Sequence, residues 1–278
     1  MRAKAIASEV GIGATDELSL RVSVAALVRV LFEHPDDGTL MLALERKATL
    51  LEEDGQRFVD VKAQPFGGAL RLHDLKPLQE LIDDFHFDSE ESRAEQDFRI
   101  FIRSADWETV REFCLRYFSQ LDDSVLETDP GRELAEEFAD ALKISLKRDQ
   151  YIYQAVSTIV EDQPSIAKNI HARGYPTARM YRIFEARIQD QALASAMIEN
   201  SESCSDEDLR QRALQDARTG GAGRANGVLT MLFEEINDFY TTIPIGARNQ
   251  PILFQTHHLD ETVGAILEGV PVPKYRRL

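Results

Sequence analysis

Arg132-Glu133-Leu134-Ala135-Glu136-Glu137 concentrates three carboxylates and a guanidinium in six consecutive residues. Asp129-Pro130 just before it reads as a helix opening, because Asp caps free amides and Pro is tolerated at the first helical position. The helix is expected to run to about Leu142–Leu146. Residues three and four apart share a helix face, so Glu133, Glu136 and Glu137 project together. Carboxylates so crowded repel one another unless a cation intervenes, and Arg132 is placed to orient one of them by a bidentate contact. Donors that are all oxygen favour hard ions, so Mg²⁺ or Mn²⁺ is the expected cofactor. Ions of this kind bridge phosphate oxygens and activate water. Acidic helix faces are common in a chain with 48 Asp and Glu, and most are merely solvated. The order Arg, Glu, apolar, any, Glu, Glu is narrower, arising by chance in on the order of one chain in a few hundred.

Working upstream, Arg21–Phe32 (RVSVAALVRVLF) is a continuous valine-rich run suited to a buried strand. His34-Pro35-Asp36-Asp37-Gly38 has turn chemistry, and Leu40–Glu45 (LMLALE) returns as a second strand. Phe58–Val61 is a third short strand. It leads into Gln64-Pro65-Phe66-Gly67-Gly68, where Pro and paired Gly impose a tight turn.

With these elements in place, RELAEE resembles the second half of the Nudix box, G-x5-E-x7-R-E-U-x-E-E-x-G-U with U apolar. The preceding hairpin and the QPFGG turn resemble the elements that open that box. Counting from Gly68, Asp74 stands where the box has its first glutamate. The resemblance spans roughly residues 20 to 217, and only RELAEE is specific. Three departures are plain: 57 residues separate Asp74 from Arg132 where the box has a short spacer, Asp replaces the first glutamate, and Ala139 occupies a glycine position. The resemblance implies an α/β fold: a Nudix-like α/β/α sandwich with a mixed sheet and a largely helical insertion over 75–131. Residues 1–278 then form a single domain with additional C-terminal elements over 228–278. It further implies that Gly68, Glu133, Glu136 and Glu137 hold the metal, that Arg132 fixes the glutamates, and that one glutamate deprotonates water. The implied function is metal-dependent hydrolysis of a pyrophosphate linkage in a nucleoside di- or triphosphate, or in a nucleoside diphosphate derivative. Two alternatives stand beside it: a nucleotide-binding or sensor module without turnover, and an interaction protein whose acidic helix is only solvated.

Inside the insertion, Leu75–Asp84 reads as a helix and Phe98–Ile102 as a short strand. Trp107, Val110, Phe113, Cys114, Tyr117, Phe118 and Leu121 recur at helical spacing, a stripe that suits core or interface, and a homodimer contact is open. Further on, Tyr151–Val160 and Ala178–Ile188 are β-prone, and Ser205-Asp206-Glu207-Asp208 opens a helix to about Ala217. A Gly-rich loop over 219–227, with Arg218 and Arg224, offers amides and cations for phosphate, although a surface loop explains it more simply. Arg46 is a third candidate substrate contact. Val228–Tyr240 reads as an apolar helix, Ile252–Gln255 as a strand, Asp260–Leu267 as a helix, and Pro271–Leu278 as a loose basic tail. His257 and His258 are adjacent on an extended segment and face opposite ways, so they do not share a metal. Glu185, Glu234 and Glu235 are additional acidic groups without an assigned role.

Composition sets the outer limits. A net charge of −16 argues against general nucleic-acid binding, while leaving room for a small nucleotide at a metal-neutralised site. Cys114 and Cys204 are too few for a disulfide framework. The first residues lack a secretory apolar core and no run is long enough to span a membrane, so a cytoplasmic location is expected.

Overall fold

The computed structural model describes residues 18–53, 55–120, 123–161, 163–166, 172 and 174–278. The amino-terminal stretch read above for a leader lies outside them. The strands are β1 (Leu18–Glu33), β2 (Leu40–Glu53), β3 (Gln56–Gln64), β4 (His86–Phe87), β5 (Arg99–Arg103), β6 (Tyr151–Glu161), β7 (Ser165–Ile166), β8 (Pro176–Ile188), β9 (Arg224–Leu232), β10 (Ile252–Phe254), β11 (His257–Leu259) and β12 (Tyr275–Arg277). The helices are α1 (Lys76–Gln79), α2 (Glu90–Glu95), α3 (Trp107–Gln120), α4 (Gly131–Leu142), α5 (Gln191–Ser203), α6 (Asp206–Arg218), α7 (Phe233–Thr242) and α8 (Val263–Ile266).

The sheet is mixed. Its main path runs β10-β11-β3-β2-β1-β8-β6-β12, with β9 on β2 and β5 on β1. Long β1 is its spine, parallel to β8 over Arg21–Leu31. Its opposite edge is divided among three partners: β2 at Val30–Glu33, the turn at Phe66 and Ala69, and β5 from Leu18 to Ser23. Strand alternation sends Val22, Val24, Ala26, Val28 and Val30 to one face, and Leu27 and Leu31 to the other. The first face is covered by α3, α4 and α5, and the second by α7, α8 and the C-terminal strands. Apolar burial on both faces explains why β1 reads as a near-continuous hydrophobic run, broken by Ser23 and by Arg29, which pairs with Glu185. The result is a mixed α/β layered fold.

The segment 75–131 is not simply helical. β5 lies where Phe98–Ile102 was expected, and it extends the main sheet along β1. The chain then returns and closes a neck: His73 N–H donates to Val125 O, Glu127 N–H donates to Arg71 O, and Leu72 bridges Leu126. The stripe on α3 is core, since Val110, Phe113, Cys114, Tyr117 and Phe118 are all buried.

α4 begins after Pro130, where the Asp129 carboxylate accepts the Gly131 N–H at 2.7 Å and the Tyr153 hydroxyl at 2.7 Å. It ends at Lys143, which adopts a left-handed φ of 60°. Its buried face carries Leu134, Phe138 and Ala141, and Phe138 stacks on Phe66 of the turn with ring centres 4.9 Å apart.

Several elements differ from the sequence reading. The helix expected over Leu75–Asp84 is only the short α1, and that expected over Asp260–Leu267 is only α8. Val228–Leu232 belongs to β9, and the helix starts at Phe233; a short apolar run has no period that separates strand from helix. α5 was missed because its buried face is narrow, just Leu193, Ala194 and Met197, although the Asp190 cap on Leu193 marks its start. The C-terminal tail is not loose: Tyr275 is buried and β12 pairs with β6. Truncating Phe138 to Ala would leave a cavity between α4 and the turn and should lower stability by roughly 3–5 kcal/mol. Urea denaturation of Phe138→Ala beside wild type measures this.

Candidate metal and phosphate site

Two glycines shape the turn that meets α4. Gly67 has φ 133°, and a Cβ there would lie 2.1 Å from Ala26 O, so the turn can run against β1 only without a side chain. A Cβ on Gly68 would lie 1.9 Å from Glu133 Oε2. The Glu133 carboxylate therefore sits directly on the Gly68 backbone, as the resemblance implies for two ligands of one metal. The Gly68 carbonyl accepts Ala26 N–H at 2.9 Å and keeps a second lone pair. Glu137 closes the other side, accepting Gly67 N–H at 2.9 Å.

Arg132 organises the cluster. Its Nη2 donates to Glu127 Oε2 at 2.7 Å and to Ala69 O at 3.0 Å, and its Nε donates to Glu127 Oε1 at 2.8 Å. The same guanidinium contacts Glu133 at 2.6 Å and Glu136 at 3.2 Å. Its fork is thus gripped by Glu127, not by Asp74, whose carboxylate instead accepts the Lys76 N–H at 3.0 Å. Glu127 also accepts Arg71 N–H through Oε2 at 3.0 Å. Sequence counting missed Glu127 because it lies at the closing end of the insertion, five residues before Arg132, where the box has no counterpart.

The carboxylates divide by environment. Glu133 is buried, and burial pushes its carboxyl up to about 7, against the opposing pull of Arg132. Glu137 is raised well above the usual range, first by burial and then by the charge of Glu45. Glu136 is exposed at 55% of its side chain and faces Arg132 and Arg71. Burial disfavours charge on Arg132, but its hydrogen bond to Glu127 and the surrounding carboxylates outweigh this and hold it above its ordinary value.

The site extends onto β2 through Glu45 and Lys47, which the sequence reading did not name. Glu45 is fully buried and paired in register with Gln64, whose Nε2 donates to Oε2 at 2.9 Å. Lys47, two residues on and therefore on the same face, places its ammonium 3.7 Å from Glu45 Oε2. The available signal was a charge closing the apolar run LMLALE, since a buried Glu is uncommon unless paired.

The proposed substrate arginines lie elsewhere. Arg46 faces the opposite side of β2 and is buried, its guanidinium bonded to Val228 O at 3.1 Å, to Asp206 at 3.3 Å and to Cys204 O. It holds the fold together and has no face toward the carboxylates. Arg224 is exposed and pairs with Thr49, four positions beyond Glu45, roughly 13 Å along the strand. Arg218 is exposed at the end of α6. The amides of the intervening loop are already taken: Gly223 and Arg224 N–H donate to Asp216 at 2.8 and 3.2 Å. Glu185 pairs with Arg29 and Arg187 across the sheet from α4, and Glu234 and Glu235 stand on α7. His257 lies 3.6 Å from Asp206. Clefts of about 490 and 470 Å³ border Phe85–Phe87 and Glu33–Pro35, away from the carboxylates.

Among the described residues, no three His, Cys, Asp or Glu side chains form a ready-made metal-binding group. The donor set nonetheless fits a hard divalent cation: every donor is oxygen, Glu133 lies against a glycine backbone, and Glu45 Oε1 is buried without a partner.

A family model described as SMODS-associated NUDIX domain matches residues 19–219, most of the chain. The chain belongs to that family. The match covers β1 through α6 and so includes the turn, the neck and α4. No curated protein and no solved structure matches the chain. Among the described residues of this NUDIX protein, no helix is long and apolar enough to cross a membrane.

Two measurements check the site. Glu127→Ala leaves Arg132 without its main partner and should cost roughly 3 kcal/mol, while Asp74→Ala removes one exposed cap and should cost about 1 kcal/mol or less. Comparable losses in denaturant melts would contradict the assignment. Second, Glu45, Glu133 and Glu137 have folded-state values above their unfolded ones, so the stability they give is complete below about pH 4.5 and is lost as pH rises, for Glu133 through about 7. Carboxylates held low, such as Asp206 and Asp260, act only at more acidic pH. The metal-free protein should therefore melt at a higher temperature at pH 5.5 than at pH 8, and Mn²⁺ should raise the melting temperature more at pH 8. A flat or inverted profile in differential scanning calorimetry contradicts this.

Proposed function

We propose that this NUDIX domain is a metal-dependent hydrolase that cleaves a pyrophosphate linkage in a nucleoside di- or triphosphate or a nucleoside diphosphate derivative. The observation that carries the reading is the seating of the Glu133 carboxylate on Gly68, with Arg132 clamped by Glu127 beside it. The box halves meet in space despite the long insertion between them.

Glu133, Glu137 and the Gly68 carbonyl would hold Mg²⁺ or Mn²⁺, which supplies charge stabilisation at the reacting phosphoryl group and acidifies a bound water. Arg132 fixes the rotamers of Glu133 and Glu136, so these carboxylates meet substrate without reorganising. Glu136, the exposed member, is the group to take a proton from the attacking water. The water oxygen bonds to phosphorus, the bridging P–O bond breaks, and the leaving phosphate departs with the bond pair. Lys47, with about a third of its side chain exposed, offers a cation to the phosphates from β2. It takes the role that the sequence reading gave to Arg46, one residue away on the other face.

A second reading has its own support. Arg132 contacts both Glu133 and Glu136, so the chain's own cation partly neutralises the cluster, as suits a nucleotide-binding or sensor module without turnover. The deciding experiment measures Mg²⁺-dependent product release from a panel of nucleotides, with calorimetric binding in parallel. Hydrolysis by wild type should fall at least ~100-fold in Glu136→Gln and in Glu137→Gln. Binding with no turnover favours the sensor, and turnover that survives both substitutions overturns the site.

A further inference from the structure

We propose that Glu45 is a further metal-ligating residue of this site, contributed by β2 and holding a hard divalent cation jointly with Glu137. The inference rests on the metal-site reading above and extends it to a strand outside the RELAEE motif.

Glu45 occupies a position where an apolar residue would be ordinary. The preceding residue on the same face is buried Ala43, and its register partner on β9 is buried Val228. Yet it is a carboxylate with no exposed surface. Its Oε2 accepts one hydrogen bond, from Gln64. Its Oε1 is buried and accepts none. Lys47 at 3.7 Å is too distant to donate a hydrogen bond and faces Oε2, not Oε1. Buried polar atoms in folded proteins are nearly always satisfied, so a buried carboxylate oxygen without a protein donor calls for a water or an ion as its partner.

The surroundings say what. Gln64 precedes Gly67 by three residues, and Gly67 N–H is held by Glu137, so the turn carries the chain from one carboxylate to the other. Glu45 and Glu137 are close enough for their charges to act on each other. The two carboxylates repel when both are ionised, Lys47 on the Oε2 side offsets only part of this, and a set of oxygen donors around Oε1 selects a hard divalent ion. A second copy of the chain or an anionic ligand would not relieve this repulsion. Arg132 does not supply the cation here, because its guanidinium is directed to Glu127, Glu133, Glu136 and Ala69.

The test is Mn²⁺ binding to the full chain at pH 8, read by electron paramagnetic resonance of free Mn²⁺ and by calorimetric melting. Glu45→Gln preserves shape and an acceptor for Gln64. Its metal-free form should melt at or above the wild-type temperature, because a buried charge is removed. Its Mn²⁺ affinity should fall at least tenfold, and its Mn²⁺-induced melting shift should shrink with it. Affinity within twofold of wild type overturns the role of Glu45 while leaving the α4 carboxylates as ligands. Failure of wild type to bind millimolar Mn²⁺ overturns this inference together with the metal reading on which it rests. Should Glu45→Gln not fold, Glu45→Asp, which shortens the reach to the ion, is judged by the same affinity criterion.

Discussion

The grip of Glu127 on Arg132 is the contact on which the site depends. Between the turn at Gly68 and the helix at Gly131 the chain adds β5 to the edge of β1 and α3 to the first face of the sheet, and then returns. The return is fixed by backbone pairing of Arg71 and His73 with Val125 and Glu127. That pairing places Glu127 beside Arg132, and the bidentate contact then sets the guanidinium against Ala69 O, one residue from Gly68. A charge-assisted fork of this kind is both strong and directional.

The same constraint explains the two glycines. β1 offers a single edge to three partners in succession, and the turn must fit between β2 and β5 without side chains that strike β1 on one side or Glu133 on the other. Backbone packing and carboxylate placement are therefore one problem. Phe66 stacked on Phe138 ties the turn to the apolar face of α4 and keeps the polar face over Gly67 and Gly68. The C-terminal strands and helices cover the opposite face of the sheet and leave this one to α3, α4 and α5.

Electrostatically the site gathers more buried carboxylates than nearby cations. Glu45, Glu133 and Glu137 are each pushed toward their protonated forms by burial. Perturbations of this kind gather where a protein binds or reacts, because a fold selected for stability alone would not collect them. Arg132 and Lys47 offset part of that charge from opposite sides.

Local patterns in the sequence determined the elements whose identity does not depend on partners. The valine run of β1, the return strand, the paired-glycine turn and the acidic helix opened by Asp129-Pro130 were all legible, because periodicity, turn residues and helix spacing act over a few residues. The grouping of Glu133, Glu136 and Glu137 followed from the same rule. Only the tertiary structure decided what Arg132 holds, since Glu127 meets it through the neck and no counting from Gly68 reaches it. Alternation along β2 is in principle readable, but which face meets α4 is not, so the sequence points to Arg46 while Glu45 and Lys47 are the β2 residues on the α4 side. β9 and the C-terminal β12 likewise became strands because an open sheet edge was waiting for them. Strand identity in a short apolar run is settled by its neighbours, and neighbours distant in sequence are what a linear reading cannot supply.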